Sequence, residues 1–427
     1  MYDVIVIGAG LAGLMAAAAA AELNKKVLVV AKGRGNLYSA SGYIDFLGYY
    51  PTDRRQPLEN VTRALEDIVE NNPQHPYALL GKEKIDQAFR FFLEVMNRAG
   101  YPYGGSWQKN RIHPTAAGAL APTSLVPQRS CLDLASYQDI LVVGFREMLD
   151  FYPFYAADNL REQFYLQGEK KLVRAVWLDL GLSQERELNS YDLAVALEDE
   201  AVRFRLAEQL RVKVSEHTLV ILPAVLGVRK WNRVQDHLQR MLACTFLEIP
   251  TLPPSVTGMR LAESLMGYLE QRGVEFQLGY PVTGALQEGK RCTGVKIATA
   301  SGRIQVKEAR TFVLATGGIL GGGLRVKPYS ITEEIFKIKI EMPKEISHQD
   351  FFAPQGQPLS RTGVKVNSLL QPITAQGEPI LTNVFVAGKN LTGYDPFVEK
   401  SGNGVALVSG YAAGWLAGKG AFSYEAV

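Results

Sequence analysis

Three features of the sequence predict an α/β fold in which one nucleotide-binding domain is assembled from discontinuous segments around an inserted α/β cap. The first is the opening MYDVIVIGAGLAGLMAAAAAAELNKKVLVVA, where a β-rich run, a glycine turn, an Ala-rich helix and a second β-rich run follow one another. The second is a pair of distant β-rich runs that also end in glycine, TFVLATGG at 311–318 and NVFVAG at 383–388. The third is a middle region in which apolar runs alternate with helical patterns, as expected of a largely parallel sheet.

Tyr2–Ile7 and Val27–Val30 are the first two predicted strands, with a helix running to Leu23 between them. Gly8, Gly10 and Gly13 stand in G-x-G-x-x-G spacing at the turn. Gly8 permits the tight turn, Gly10 lets backbone approach a phosphate, and Gly13 lets the helix pack close to the strand. The phosphate then meets free N–H groups at the positive end of the helix dipole. Val4 to Ala21 carries no charge, and its length alone would suit a bilayer span. Three glycines in its first half argue against a span, and Asp3 stands where a signal peptide would be basic. The strand–turn–helix–strand context makes the glycine motif Rossmann-like.

Residues 1–50 thus form the first piece of the nucleotide-binding domain, and 51–250 the cap. Within the cap, 57–71 and 82–99 are predicted helices, the second with Ile85, Ala88, Phe89, Phe92 and Met96 on one face. Residues 101–127, rich in Gly, Pro, Thr and Ser, are expected to be irregular. Strands follow at 140–145, 175–180, 219–222 and 245–249, with helices near 150–163, 191–210 and 232–242. The aromatic run Phe151-Tyr152-Pro153-Phe154-Tyr155 is read as core in preference to a partner surface. Pro250 to Pro254 punctuates the return to the second piece, 251–324, which has a helix at 259–272 and strands at 274–278, 282–286, 293–299, 303–306 and 311–315. Residues 325–375 form a covering segment. Residues 376–427 are the third piece, with a strand at 383–387 and a Gly/Ala helix at 404–416.

Composition narrows the function. The chain has 47% hydrophobic and 21% charged residues, usual for a globular protein. Forty-six basic and 43 acidic residues leave a charge of +3, and no run of like charges marks a tail, so nucleic acid is not an expected partner. Cys131, Cys244 and Cys292 are far apart with no C-x-x-C pair, so no iron–sulfur cluster or metal site is expected here. Few, unpaired cysteines suit a reducing cytoplasm.

The segments TFVLATGGILGGG (311–323) and NVFVAGKNLTGYDPFVEKSGNGVALVSGYAAG (383–414) resemble the second and third signatures of two-domain flavoproteins. Their fold is that of the fumarate reductase and succinate dehydrogenase flavoprotein subunits. YSASGYIDF (38–46) is similar to their Ser- and Gly-rich loop, which lies against the flavin. The resemblance implies a Rossmann-like flavin-binding domain with an inserted α/β capping domain. It assigns cofactor contacts to Ser39, Ser41, Gly42, Gly317, Gly388, Gly402, Asn403 and Gly404. A helix opening at Gly402-Asn403-Gly404 can stabilise negative charge on a reduced flavin.

One expected residue is missing. An acid at the end of the second strand normally binds the adenosine ribose, but this chain has Ala31 there, followed by Lys32 and Arg34. In the third signature an acid of the family is replaced by Lys389. Basic groups suit a terminal phosphate better than a neutral ribose. The reading is therefore FMN, with FAD bound atypically as the alternative. An NADP reading of Lys32 and Arg34 leaves the other two signatures unexplained.

Over essentially the whole chain, including NRIHPTAAGALAPTSLVP (110–127), ILVVGFREMLDFYPFYAADNL (140–160), LVILPAVLGV (219–228) and EIPTLPPSVTGMRL (248–261), the sequence resembles the B subunit family of bacterial anaerobic glycerol-3-phosphate dehydrogenases. The resemblance implies FMN, an FAD-bearing A subunit, and an iron–sulfur C subunit that anchors the pair to the inner face of the cell membrane. It implies oxidation of the small phosphate substrate sn-glycerol 3-phosphate to dihydroxyacetone phosphate, with electrons passing through the partners to quinone. An electron-relay or structural subunit without substrate chemistry, and a soluble fumarate reductase-like enzyme, stay open as alternatives.

Oxidising a secondary alcohol needs a base near neutral pKa and cations for the phosphate. His348 is the expected base and Arg361 the expected cation, with Arg325, Lys327 and Arg129 as further cations. His113 sits in a His-Pro-Thr tripeptide that fumarate reductases carry after their second glycine signature. Here it precedes that signature, so the role is not transferred.

Overall fold

The structure, a computed structural model, describes residues 1–51, 56–182 and 187–420. Strands β1 (Tyr2–Ile7) and β2 (Val27–Ala31) pair in parallel, and α1 (Leu11–Glu22) crosses between them. Both strands are continuous apolar runs because both faces of the sheet are covered. Eleven of the twelve α1 residues are buried. That burial accounts for the uncharged opening stretch: a helix apolar all round belongs in a core.

Helix α2 (Thr62–Asn71) starts later than the sequence suggested, because Pro57 and Asn60 bridge to Tyr49 and Lys109. Helix α3 (Pro76–Arg98) starts earlier and bends at Gly81, whose φ of 73° interrupts it. The predicted apolar face of α3 is buried. The stretch expected to be irregular holds four short strands in two antiparallel pairs: β3 (Tyr103–Gly105), β4 (Arg111–Pro114), β5 (Leu120–Thr123) and β6 (Leu125–Pro127). Val61, Phe89, Tyr103 and Leu125 from this region pack into the same core as β1.

A second, parallel sheet follows in the order β10-β9-β7-β8, from β7 (Asp139–Phe145), β8 (Leu172–Leu178), β9 (Thr218–Pro223) and β10 (Thr245–Ile249). Its helices are α4 (Pro153–Leu166), α5 (Ser190–Ala196), α6 (Glu200–Arg211) and α7 (Trp231–Met241). The sequence suggested one helix where α5 and α6 stand, but Asp199 caps a new start by accepting the Ala201 N–H. The expectation for the aromatic run is corrected. Of its four aromatic rings only Phe151 is buried, while Tyr152, Phe154 and Tyr155 are exposed, because α4 turns Pro153, Ala156 and Leu160 inward. The second core is drawn from residues between Leu134 and Ile249.

The chain returns through α8 (Val256–Gln271), β11 (Glu275–Leu278), β12 (Val282–Glu288), β13 (Arg291–Ala298) and β14 (Ile304–Leu314). The two strands expected at 303–306 and 311–315 are one, β14, antiparallel to β13 in its first half and parallel to β1 in its second. After it come α9 (Gly318–Gly321), a small antiparallel sheet of β15 (Leu324–Lys327), β16 (Ser330–Glu333) and β17 (Lys339–Ile340), then β18 (Val384–Val386) and α10 (Gly402–Lys419). The main sheet runs β11-β2-β1-β14-β13-β12, with β18 on β14. Helix α10 lies so close to α1 that a Cβ at Gly414 would stand 2.1 Å from the Ala16 carbonyl oxygen. Among the described residues no helix is long and apolar enough to cross a membrane.

A buried ion pair ties α8, which packs into the first core, to the second sheet. Arg260 of α8 donates to both oxygens of Glu248 on β10, at 2.7 and 3.0 Å, and to the Gly227 carbonyl. Both side chains are almost wholly buried.

Candidate functional site

A cavity of about 690 Å³ opens at the carboxyl ends of β1, β2, β14 and β18, the place where open α/β sheets bind ligands. At its floor, Gly8 holds φ at 118°, and a Cβ there would stand 2.2 Å from the Ala315 carbonyl oxygen. A Cβ on Gly13 would stand 1.9 Å from the Gly8 carbonyl oxygen, so the turn and the first helical turn need both glycines. A Cβ on Gly10, which precedes α1, would meet no heavy atom within 4 Å. The space beside it is cavity, and the first N–H groups of α1 face it.

Of the residues anticipated from the sequence, Gly8, Gly10, Lys32, Gly317, Gly388, Gly402 and Asn403 line the cavity. Gly13, Ser39, Ser41, Gly42 and Gly404 do not. Ser39 is exposed at the end of a 3-10 turn. Ser41 Oγ accepts the Tyr43 N–H at 3.1 Å, and Gly42 backs onto Thr257 and Gly258. Gly404 packs against Phe46 and the Tyr77 hydroxyl. From the Ser/Gly loop the cavity instead receives Ala40 and Asp45, with Leu37 from the turn just before it.

One end of the cavity is charged and partly unmatched. Asp45 Oδ1 lies 2.6 Å from Lys400 Nζ, which also donates to the Pro122 carbonyl at 2.8 Å. Asn403 donates to the Tyr43 carbonyl at 2.8 Å, which fixes the opening of α10. The Lys389 amine is buried with no hydrogen-bond partner, over the Tyr394 ring at 5.1 Å from its centroid. Burial pushes that amine down to about 8, against the pull of Asp395 and Glu399. At the other end Ala31 closes β2, and Lys32 Nζ reaches across to within 2.7 Å of where a Gly322 Cβ would be. Arg34 donates to the Tyr38 hydroxyl at 2.7 Å. Asp45, Tyr394 and Lys400 were not singled out in the sequence. The signal available was their place inside the quoted signatures.

The expected catalytic residues lie elsewhere. His348 is half-buried, with Nδ1 3.4 Å from Glu345, and Arg361 donates to the Gln355 carbonyl with Asp395 at 3.7 Å. Neither lines the cavity, because the covering segment folds partly as its own small sheet and partly as loop around Asp395. Arg325 pairs with Glu334 at 2.7 Å, Lys327 is exposed, and Arg129 pairs with Asp236 beside Trp231. His113 on β4 is buried beside the Tyr43 ring with neither ring nitrogen bonded. Burial, Arg111 and Lys400 push it down to about 4, so it is neutral. Among the described residues no group of three or more His, Cys, Asp and Glu is placed to hold a metal ion.

The cavity is large, glycine-floored and met by the N-termini of α1 and α10, and an unpaired amine is buried behind its lining. This suits a sizeable ligand carrying negative charge. Comparison with known proteins agrees. A family model described as FAD binding domain matches residues 3–405. The chain is 30% identical over 428 residues to the B subunit of anaerobic glycerol-3-phosphate dehydrogenase from Vibrio cholerae, covering 96% of this chain and 95% of the relative. It is 31% identical to the probable B subunit of anaerobic glycerol-3-phosphate dehydrogenase from Halobacterium salinarum, covering 97% of each. Among solved structures, a flavocytochrome c3 fumarate reductase in the open conformation is similar at 12% identity, with a TM-score of 0.47 over 99% of this chain and 79% of that one.

Proposed function

This chain belongs to the FAD-binding-domain family and, within it, to the B subunit family of anaerobic glycerol-3-phosphate dehydrogenases; from that premise we propose that it is the flavin-bearing component of such an enzyme, oxidising sn-glycerol 3-phosphate to dihydroxyacetone phosphate. The observation that carries the reading is the full-length similarity to relatives of that name, joined to the large cavity at the carboxyl ends of the strands. Electrons leave through partner subunits, an FAD-bearing A subunit and an iron–sulfur C subunit, to quinone. The chain works in the cytoplasm, held at the inner face of the membrane by a partner.

The residues present fit a flavin. The α1 N–H groups beside Gly10 would take its phosphate, and the opening of α10 at Gly402 and Asn403 would face its ring. When bound, the flavin supplies a two-electron acceptor. Asp45 and Lys400 hold one wall at fixed charge by neutralising each other. Leu320 and Phe397, both exposed, and the buried Tyr394 add apolar surface to the lining.

The cofactor read here is FMN. Ala31 offers no acceptor for a ribose hydroxyl, and Lys32 extends toward the α9 turn, where an adenosine arm would pass. FAD is the second reading, favoured by the family description. Chromatography of the flavin released on denaturing the purified chain decides between them. Bleaching of the flavin in the assembled complex by sn-glycerol 3-phosphate, with none by succinate, tests the function. A flavin left oxidised by that substrate would refute it.

A further inference from the structure

The aromatic run that opens α4 is turned to solvent, and nothing in the proposed chemistry uses it. Tyr152, Phe154, Tyr155 and Tyr165 are between 48 and 68% exposed, and Leu166 is 69% exposed. Phe154 stands eleven residues before Tyr165, and Tyr155 eleven before Leu166, a spacing of about three helical turns. These four side chains therefore form two adjacent stripes down one face of α4, with Asp158, Arg161 and Glu162 between the apolar ends. Tyr152, at the start of the helix, stands edge-on to Trp177 of β8, with ring centroids 5.4 Å apart.

Beside that face lies an open sheet edge. β8 is the end strand of the second sheet, and among the described residues it pairs with β7 alone. The Leu172 N–H bonds the Gln138 carbonyl, and the Leu178 carbonyl accepts the Arg146 N–H. By alternation the N–H and C=O groups of Val173, Ala175 and Trp177 point away from β7. Arg161 of α4 donates to the Val173 carbonyl at 2.7 Å, whereas among the described residues nothing bonds the outward groups of Ala175 and Trp177. An aromatic side chain presents about 150–250 Å², so the four rings leave about 350–590 Å² in water. That supplies half of the roughly 800 Å² each partner brings to a standard interface, before the strand edge is counted. An unpaired edge strand is itself a template for pairing with another chain.

We infer that the edge of β8 and the outward face of α4 are the docking surface for the A subunit, which adds an extended segment to β8 and lays apolar side chains against α4. The inference rests on the subunit reading above: relatives of this chain are named as B subunits, so the chain has to present a face to an unlike one. An added strand satisfies the outward groups of Ala175 and Trp177, and Tyr, Trp and Phe are the residues enriched where such interfaces exclude water.

The test titrates the flavin-loaded full-length chain with the A subunit of the same enzyme and follows association by light scattering. Tyr155→Glu combined with Tyr165→Glu, which puts charge on the helix face, should weaken association about 30-fold or more. Ala175→Pro removes one outward N–H and leaves the β7 side of the strand paired, so it should weaken association about tenfold. Both variants should keep the flavin content and thermal unfolding of the wild-type chain. Hydrogen exchange on the wild type gives a readout without substitution: amides of residues 172–178 should exchange more slowly once the A subunit is added, and unchanged exchange there overturns the assignment. Protection that grows with the concentration of this chain alone gives the surface to a second copy and also overturns it. A wild-type chain that binds no A subunit overturns the subunit reading and this assignment together. Wild-type affinity in either variant overturns this assignment alone.

Discussion

One methyl group placed at Gly10 and one placed at Gly8 should have different consequences, and the difference follows from the space around each. At Gly10 the added Cβ meets no protein atom within 4 Å, and φ is −80°, which any residue adopts. The fold therefore accepts Gly10→Ala with a loss under about 1 kcal/mol, for a poorer helix cap. The methyl, however, enters the cavity beside the first N–H groups of α1. A hydrogen bond to a charged acceptor contributes about 1.5–3 kcal/mol, and about 1.4 kcal/mol is tenfold, so losing one weakens flavin binding by about 10- to 100-fold. At Gly8 the methyl would stand 2.2 Å from the Ala315 carbonyl oxygen, with φ at 118°. Backbone strain of about 1–3 kcal/mol adds to about 1–3 kcal/mol of overpacking. Gly8→Ala should therefore unfold several degrees lower even without cofactor. Thermal unfolding of the flavin-free variants and fluorescence titration with flavin measure the two effects. A folded Gly10→Ala that binds flavin as tightly as wild type would refute the assignment of that space to the cofactor.

Arg260→Met should cost about 3–5 kcal/mol in urea unfolding, because it strands the buried Glu248 carboxylate between β10 and α8; a loss below about 1 kcal/mol would contradict the role given to that pair. His113, held near 4 in the fold against about 6.5 unfolded, is protonated first in the unfolded chain. It lowers stability progressively as pH falls from 6.5 to 4, by up to about 3 kcal/mol. Glu333, raised to about 7 by burial, has the opposite slope between 4.5 and 7, so the His113 share is read as the difference between wild type and His113→Phe; parallel acid limbs in the two would refute it. Ala31→Glu supplies the missing acceptor at the end of β2 and should raise the FAD-to-FMN affinity ratio by about tenfold or more. An unchanged ratio would mean that no ribose approaches β2.

The parallel sheet, the helix between its first strands and the glycine turn were legible because they depend on short-range order. Alternation, apolar runs and the Gly8, Gly10, Gly13 spacing set local backbone conformation, and a helix as apolar as α1 has to be buried. The second sheet was legible for the same reason. Strand β14 was not, since its length depends on having β13 beside one half and β1 beside the other. Nor did the aromatic run reveal its exposure, which the rotation of α4 about Pro153 decides.

The site shows the same division. That glycines would floor a cavity at the strand ends followed from the sequence, whereas which side chains line it did not. Ser41 and Gly42 fell on the far side of their loop, and His348 and Arg361 fell outside the cavity, although each sits in a segment of the expected kind. Lys389 reaches the wall because β18 pairs with the distant β14, Val384 beside Phe312, and so delivers the next turn beside α9 and the opening of α10. Sequence determined the pieces and the kind of ligand they cradle, because those depend on neighbours along the chain. Tertiary structure alone decided which charges are left unmatched in the cavity, because that depends on what remote strands and helices bring to each side chain.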